Sequence, residues 1–147
     1  MNKGKEKEKL KMEKKKLFIS CPTKGRTEEN IKKSIERMHK LAEVIFDQEL
    51  EIINTYITYI NENTPMTANN DIWYLGKSIT LMSEADYFIG VDRNSHFWPD
   101  CNIEVDISYR YNIPNTLFDV NQIMSEEEFK TVMAALSSDR CHPRRYR

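Results

Sequence analysis

Residues 85–111, ADYFIGVDRNSHFWPDCNIEVDISYRY, decide the fold. Asp86 to Val91 is a short apolar run ending in a polar exit loop, which predicts a strand buried on both faces. Asp92 to Pro99 is the loop. Asp100 is the expected cap of a helix that carries Glu104 in its first turn and faces inward through Ile103, Ile107 and Tyr111. A buried strand followed at once by a helix is half of a parallel crossover unit, so the rest of the chain is read for its partners.

They lie on both sides. Leu17 to Cys21 (LFISC) is a second buried strand, closed by Pro22 and Gly25. Thr27 caps a helix with Glu28 and Glu29 in its first turn, and Ile31, Ile35, Met38, Leu41, Ala42, Ile45 and Phe46 form one stripe. Leu50 to Thr55 reads as a strand. Tyr56 to Asn70 reads as a polar and aromatic loop of the length that often carries function. A helix from Asp71 runs through Ile72, Leu75, Ile79 and Met82. Asn115 to Val120 is the last strand, and Ser125 to Glu128 is a capping box opening a helix that ends near Leu136. The order β-α-β-α-β-α-β-α predicts an α/β sandwich around a parallel sheet of four to five strands, in order 2-1-3-4.

The 147 residues suit one domain, here residues 17–136. Both ends are basic. Eight lysines fall in residues 1–16, which read as a disordered charged tail, and four arginines in residues 140–147, within a basic tail from 137. The formal charge of −1 gives no global field toward nucleic acid, so contact of the tails with it is a secondary expectation. Three cysteines without a CxxC suit free thiols. No apolar stretch approaches the ~18 residues of a membrane span, and no apolar run follows the basic N-terminus as in a secretory signal. A soluble, cytoplasmic protein is expected.

In an open α/β sheet, ligands bind beyond the carboxyl ends of the strands where the strand order reverses. Order 2-1-3-4 puts that point between the first and third strands, so Ser20 to Arg26 faces Asp92 to Cys101. Ser20, Lys24, Gly25 and Arg26 suit a phosphate, although the turn has neither a Walker A nor a GxGxxG pattern and is equally a solvated turn. His96, Phe97 and Trp98 offer aromatic faces for a base or sugar, or packing under the loop. Trp73-Tyr74 is either a pocket wall or core. Glu104 is either a helix-dipole partner or a carboxylate able to attack an anomeric carbon. His96, Asp100, Cys101, Cys141 and His142 match no zinc spacing.

Three segments, SCPTKGRTEE (20–29), WYLGKSITLMSEADYFIGV (73–91) and DCNIEVDISYRYNIP (100–114), together resemble a small branch of the nucleoside 2-deoxyribosyltransferase-like superfamily that is common in phage and bacterial genomes. The resemblance spans Leu17 to Val120. It implies a flavodoxin-like, Rossmann-like three-layer fold, and cleavage or transfer at the N-glycosidic bond of deoxynucleosides or their monophosphates. It also implies a glutamate nucleophile at Glu104 and a Gly-Arg phosphate loop at Gly25-Arg26, with neither metal nor organic cofactor. A nucleoside or nucleotide ligand and a homo-oligomer follow from it too. Ser20, Lys24, Gly25, Arg26, Ser78, Asp92, Trp98 and Asp100 are then the expected substrate contacts. The chain departs from the family pattern at several places. The two glycines of the nucleophile motif are absent, with Cys101 and Asp106 nearest to their places. A helix aspartate is replaced by Ser78, the first-strand tyrosine by Phe18, and an acceptor carboxylate by Trp98. A non-catalytic nucleotide-binding protein using the same pocket is the alternative, and a structural domain with nucleic-acid-binding ends is a third reading.

Overall fold

The computed structural model describes residues 13–59, 67–92 and 97–139. The elements are β1 (Lys15–Ile19), α1 (Glu28–Phe46), β2 (Leu50–Ile53), α2 (Thr55–Tyr59), α3 (Asn70–Met82), β3 (Tyr87–Val91), α4 (Pro99–Arg110), β4 (Asn115–Phe118), α5 (Val120–Met124) and α6 (Glu126–Asp139). The four strands form one sheet of order β2-β1-β3-β4, parallel at every pairing, as the sequence predicts. The first 12 and last eight residues, which hold most of both basic tails, lie outside the described residues. Among the described residues no helix is long and apolar enough to cross a membrane.

Alternation along the strands divides the core into two layers. Leu17, Ile19, Ile89, Val91 and Phe118 pack under α1, α5 and α6, with Ile31, Ile35, Met38, Leu41 and Ile123. Phe18 and Phe88, stacked at 5.8 Å, face the other way toward Leu81, Met82 and Val105 of α3 and α4. Gly90 shares that second face. A Cβ there would stand 2.8 Å from Phe88 and 3.3 Å from Val105, so its lack of a side chain lets α4 lie close to the sheet.

Element boundaries shift from the sequence reading. Strand β1 begins at Lys15, two residues inside the expected tail, because Lys15 and Lys16 pair with Leu50 and Glu51. It ends at Ile19, so Ser20 and Cys21 leave the sheet. Strand β2 stops at Ile53 because Asn54 turns the chain: its side chain donates to the Ile19 carbonyl and accepts from the amides of Tyr56 and Ile57, starting α2 inside the expected loop. Strand β4 stops at Phe118, since Asp119 and Gln122 form a capping box for α5. Ser125 Oγ accepts from the Glu128 amide to open α6, which runs three residues past Leu136.

The larger correction concerns α3 and α4. Met82 is buried as expected, but Ile72 and Ile79 are exposed and α3 buries Ser78 and Leu81 in their place. In α4, Ile103 and Tyr111 are exposed, Tyr111 at 75 %, while Cys101, Glu104, Val105 and Ser108 face inward. Helix α4 also begins two residues early. Trp98 holds the cap position without a side-chain cap bond, Pro99 is the first helical residue, and Asp100 caps nothing. Glu104 is therefore in the second turn rather than the first.

Candidate functional site at the switch point

Where the strand order reverses, the loop after β1, the start of α2, and the first turns of α3 and α4 enclose a cavity of about 720 Å³. That is the size range of small-molecule sites. Glu104 lines it together with Lys24, Arg26, Ser78, Trp98 and Asp100. The carboxylate at 104 and the Lys24–Arg26 turn thus open onto one hollow. Tyr56, Tyr59, Tyr74, Phe97 and Trp98 supply aromatic surface around it.

Glu104 is only 6 % exposed. Ser20, which leaves β1 just before the cavity, donates its Oγ to Glu104 Oε1 at 2.5 Å. Ser78 of α3 stands near enough to favour the charged form of the same carboxyl, and its hydroxyl is bonded to Thr55 Oγ at the head of α2. The Ser20 bond fixes the carboxyl from the end of β1, and the bonded Ser78–Thr55 pair lines the same cavity, a polar surround of the kind that orients a reacting group. Burial pushes the Glu104 carboxyl up to about 7, against the opposing pull of the two serine hydroxyls, and the nearby Asp100 adds to the rise. The helix dipole acts mainly on the first turn, which Glu104 has left behind. A carboxyl near 7 exists in both protonation states at neutral pH, which suits acid–base and nucleophilic chemistry alike.

The other expected residues divide. Lys24 is exposed on the cavity wall. Arg26 also lines it, but its guanidinium is engaged: it donates to the Pro22 carbonyl at 2.8 Å, the Ser34 hydroxyl at 2.7 Å and the Asn30 carbonyl at 3.2 Å. Those bonds lace the β1 loop to α1. Gly25 is not among the lining residues; it turns the loop at φ 78°, and the Phe97 ring lies 3.3 Å from where its Cβ would be. Trp98 Nε1 donates to the Lys24 carbonyl at 3.1 Å, so the two loops the strand order brings together are tied directly. Asp92 ends β3 with its amide bonded to the Phe118 carbonyl; its side chain is exposed and does not line the cavity. Asp100 lines the cavity half-buried, and its carboxyl is raised by burial and by Asp71, against the pull of Lys24.

Other lining residues were not anticipated. Asn54 and Thr55 follow β2, and the strand-end rule that singled out the loops after β1 and β3 applies equally to that third carboxyl end. Asp71 enters from the first turn of α3. Of the pair Trp73-Tyr74, Tyr74 is pocket wall, as one of the two expectations had it. Trp73 instead packs edge-on against Tyr59 and under the Lys77 ammonium. Cys21 and Cys101 are buried free thiols at the cavity edge, and burial pushes Cys21 up to about 12 and Cys101 higher still, so both are neutral and unreactive. Among the described residues no group of three or more His, Cys, Asp or Glu could hold a metal; His96, Cys141 and His142 lie outside them.

No protein-family model, curated protein or solved structure matches the chain significantly. The functional reading therefore rests on the cavity and its side chains.

Proposed function

We propose that the cavity binds a 2′-deoxynucleoside or its 5′-monophosphate, and that Glu104 is the nucleophile in cleavage or transfer at the N-glycosidic bond. The observation that carries this is a buried carboxyl, held by the Ser20 hydroxyl, at the inner wall of an aromatic-lined cavity large enough for a nucleoside. The sugar would lie against Glu104 and the base against the aromatic side chains, where ring faces stack on any base. The ionised carboxylate attacks C1′ and the C1′–N bond breaks with its electron pair going to the base. Water or a second base then releases the sugar from the glutamyl ester. Lys24 is the cation best placed for a 5′-phosphate, since the guanidinium of Arg26 is already engaged.

The test is base release from 2′-deoxynucleosides and their 5′-monophosphates, followed by chromatography. The wild-type protein releases free base, and Glu104→Ala lowers the rate by at least about a hundredfold. Equal rates in the two proteins would discard the nucleophile. A second reading, binding without turnover, is favoured by the engagement of Glu104 with the Ser20 hydroxyl. Calorimetry separates the two readings: nucleoside binding with no base released selects the second.

A further inference from the structure

Cleavage of an N-glycosidic bond needs more than a nucleophile, because a purine or pyrimidine leaves poorly as an anion and must take up a proton. Enzymes that form a glycosyl ester solve the corresponding problem with a second carboxyl about 5–5.5 Å from the first. A second carboxyl, that of Asp100, lines the same cavity as Glu104. Asp100 lies four residues earlier on α4, and side chains four apart share one helix face with Cβ atoms about 5–6 Å apart. Both line the same cavity, Glu104 buried and Asp100 half-buried.

Resting on the nucleophile reading above, we propose that Asp100 is the acid–base partner of Glu104, giving its proton to the departing base and taking one back from the water or second base that frees the sugar. In the first step the Glu104 carboxylate bonds to C1′. The C1′–N electron pair passes to the base, a ring nitrogen of the base takes the Asp100 proton, and a neutral base departs. In the second step water adds to C1′, Asp100 accepts its proton, and the ester oxygen leaves with its electron pair to restore the Glu104 carboxylate. The cycle is balanced without an oxidant, a reductant or a metal.

The surroundings of Asp100 fit the role. Asp71 faces it from the first turn of α3, and a like charge there favours the protonated form. Partial burial acts in the same direction, and Lys24 from the β1 loop opposes both. On its own helix, Asp100 is coupled electrostatically to Glu104 and to the neutral Cys101. The two carboxyls therefore differ in duty through position. Glu104 is oriented by Ser20 for attack, while Asp100 stands farther out, beside Trp98 and Pro99 where a base would rest.

The experiment compares two leaving groups. 2′-Deoxyguanosine loses guanine that needs a proton, whereas 7-methyl-2′-deoxyguanosine carries its positive charge already and loses a neutral base without one. Base release is measured for the wild type, Asp100→Asn, Asp100→Glu and Glu104→Ala, with spontaneous loss subtracted. In the first turnover, with enzyme in excess so that the later freeing of the sugar does not enter the rate, Asp100→Asn is expected to slow release from deoxyguanosine by about a hundredfold or more while nearly keeping release from the methylated compound, and Asp100→Glu to recover part of the loss. Glu104→Ala loses both. Because the two substrates are compared within one variant, partial misfolding of Asp100→Asn cannot imitate the result. Equal slowing of both substrates, or of neither, in Asp100→Asn with Glu104→Ala inactive on both would overturn the role of Asp100 and leave the nucleophile standing. Unchanged release by Glu104→Ala, or no release from either compound by the wild type, would overturn the nucleophile and Asp100's role with it.

Discussion

Replacing Glu104 with glutamine should change how stability depends on pH, and the size of the change can be worked from the site. The carboxyl is pushed to about 7 by burial, from an ordinary 4.5. Between those two values the folded protein binds more protons than the unfolded chain, so stability falls as pH rises. The contribution is fully present below about 4.5 and is lost as pH climbs through about 7. At 1.36 kcal/mol per pH unit, that gap corresponds to about 3 kcal/mol, an order-of-magnitude figure for a buried group. Glutamine keeps the shape and can still accept from Ser20, but it does not titrate. Urea unfolding of wild type and Glu104→Gln at pH 5, 6, 7, 8 and 9 reads the effect. The stability of the variant minus that of the wild type should grow with pH by about 3 kcal/mol, most of it between pH 5 and 8. Taking the difference cancels the titration of groups that do not interact with Glu104. A difference that stays flat across the range would mean that the carboxyl is solvated, and the reasoning about its environment would fail.

Three further outcomes follow from single side chains. Arg26→Ala removes charged hydrogen bonds to Pro22, Asn30 and Ser34 and should cost about 1.5–3 kcal/mol in urea unfolding; an unchanged midpoint would show that the loop does not depend on this residue. Asn54→Ala frees the Ile19 carbonyl and the amides of Tyr56 and Ile57, and a loss of about 1–3 kcal/mol is expected, with faster amide exchange at Tyr56 and Ile57 than elsewhere. Gly25→Ala places a Cβ at φ 78°, 3.3 Å from the Phe97 ring, and should cost about 1–2 kcal/mol; the Trp98 fluorescence should shift as its bond to the Lys24 carbonyl is disturbed.

The parallel sheet and its order were legible because the strands are continuous apolar runs separated by helical stripes, and few topologies accommodate that alternation. Helix α1 was legible too: its stripe of Ile31, Ile35, Met38, Leu41 and Ala42 is the face it buries. The periodicity misleads for α3 and α4, where the isoleucines at 72, 79 and 103 point outward. The inward positions of those helices carry Ser78, Glu104 and Ser108 beside Cys101 and Val105, and polar groups are buried there because each finds a hydrogen-bond partner across the site or along its own helix. A pattern built on hydrophobicity cannot register a face that is polar by purpose. The pocket wall after β2 escaped for another reason. The amide of Asn54 reaches across to β1, a contact between residues 35 apart in sequence that no local pattern encodes.

The most direct measurement is mass spectrometry of the protein incubated with a 2′-deoxy-2′-fluoroarabinosyl nucleoside, whose fluorine slows release of the sugar from a glutamyl ester. Free base in solution and a fluorinated sugar on the peptide that contains Glu104 are expected, with no adduct in Glu104→Ala. A sugar on any other residue, or base release that persists undiminished in Glu104→Ala, would contradict the role of Glu104.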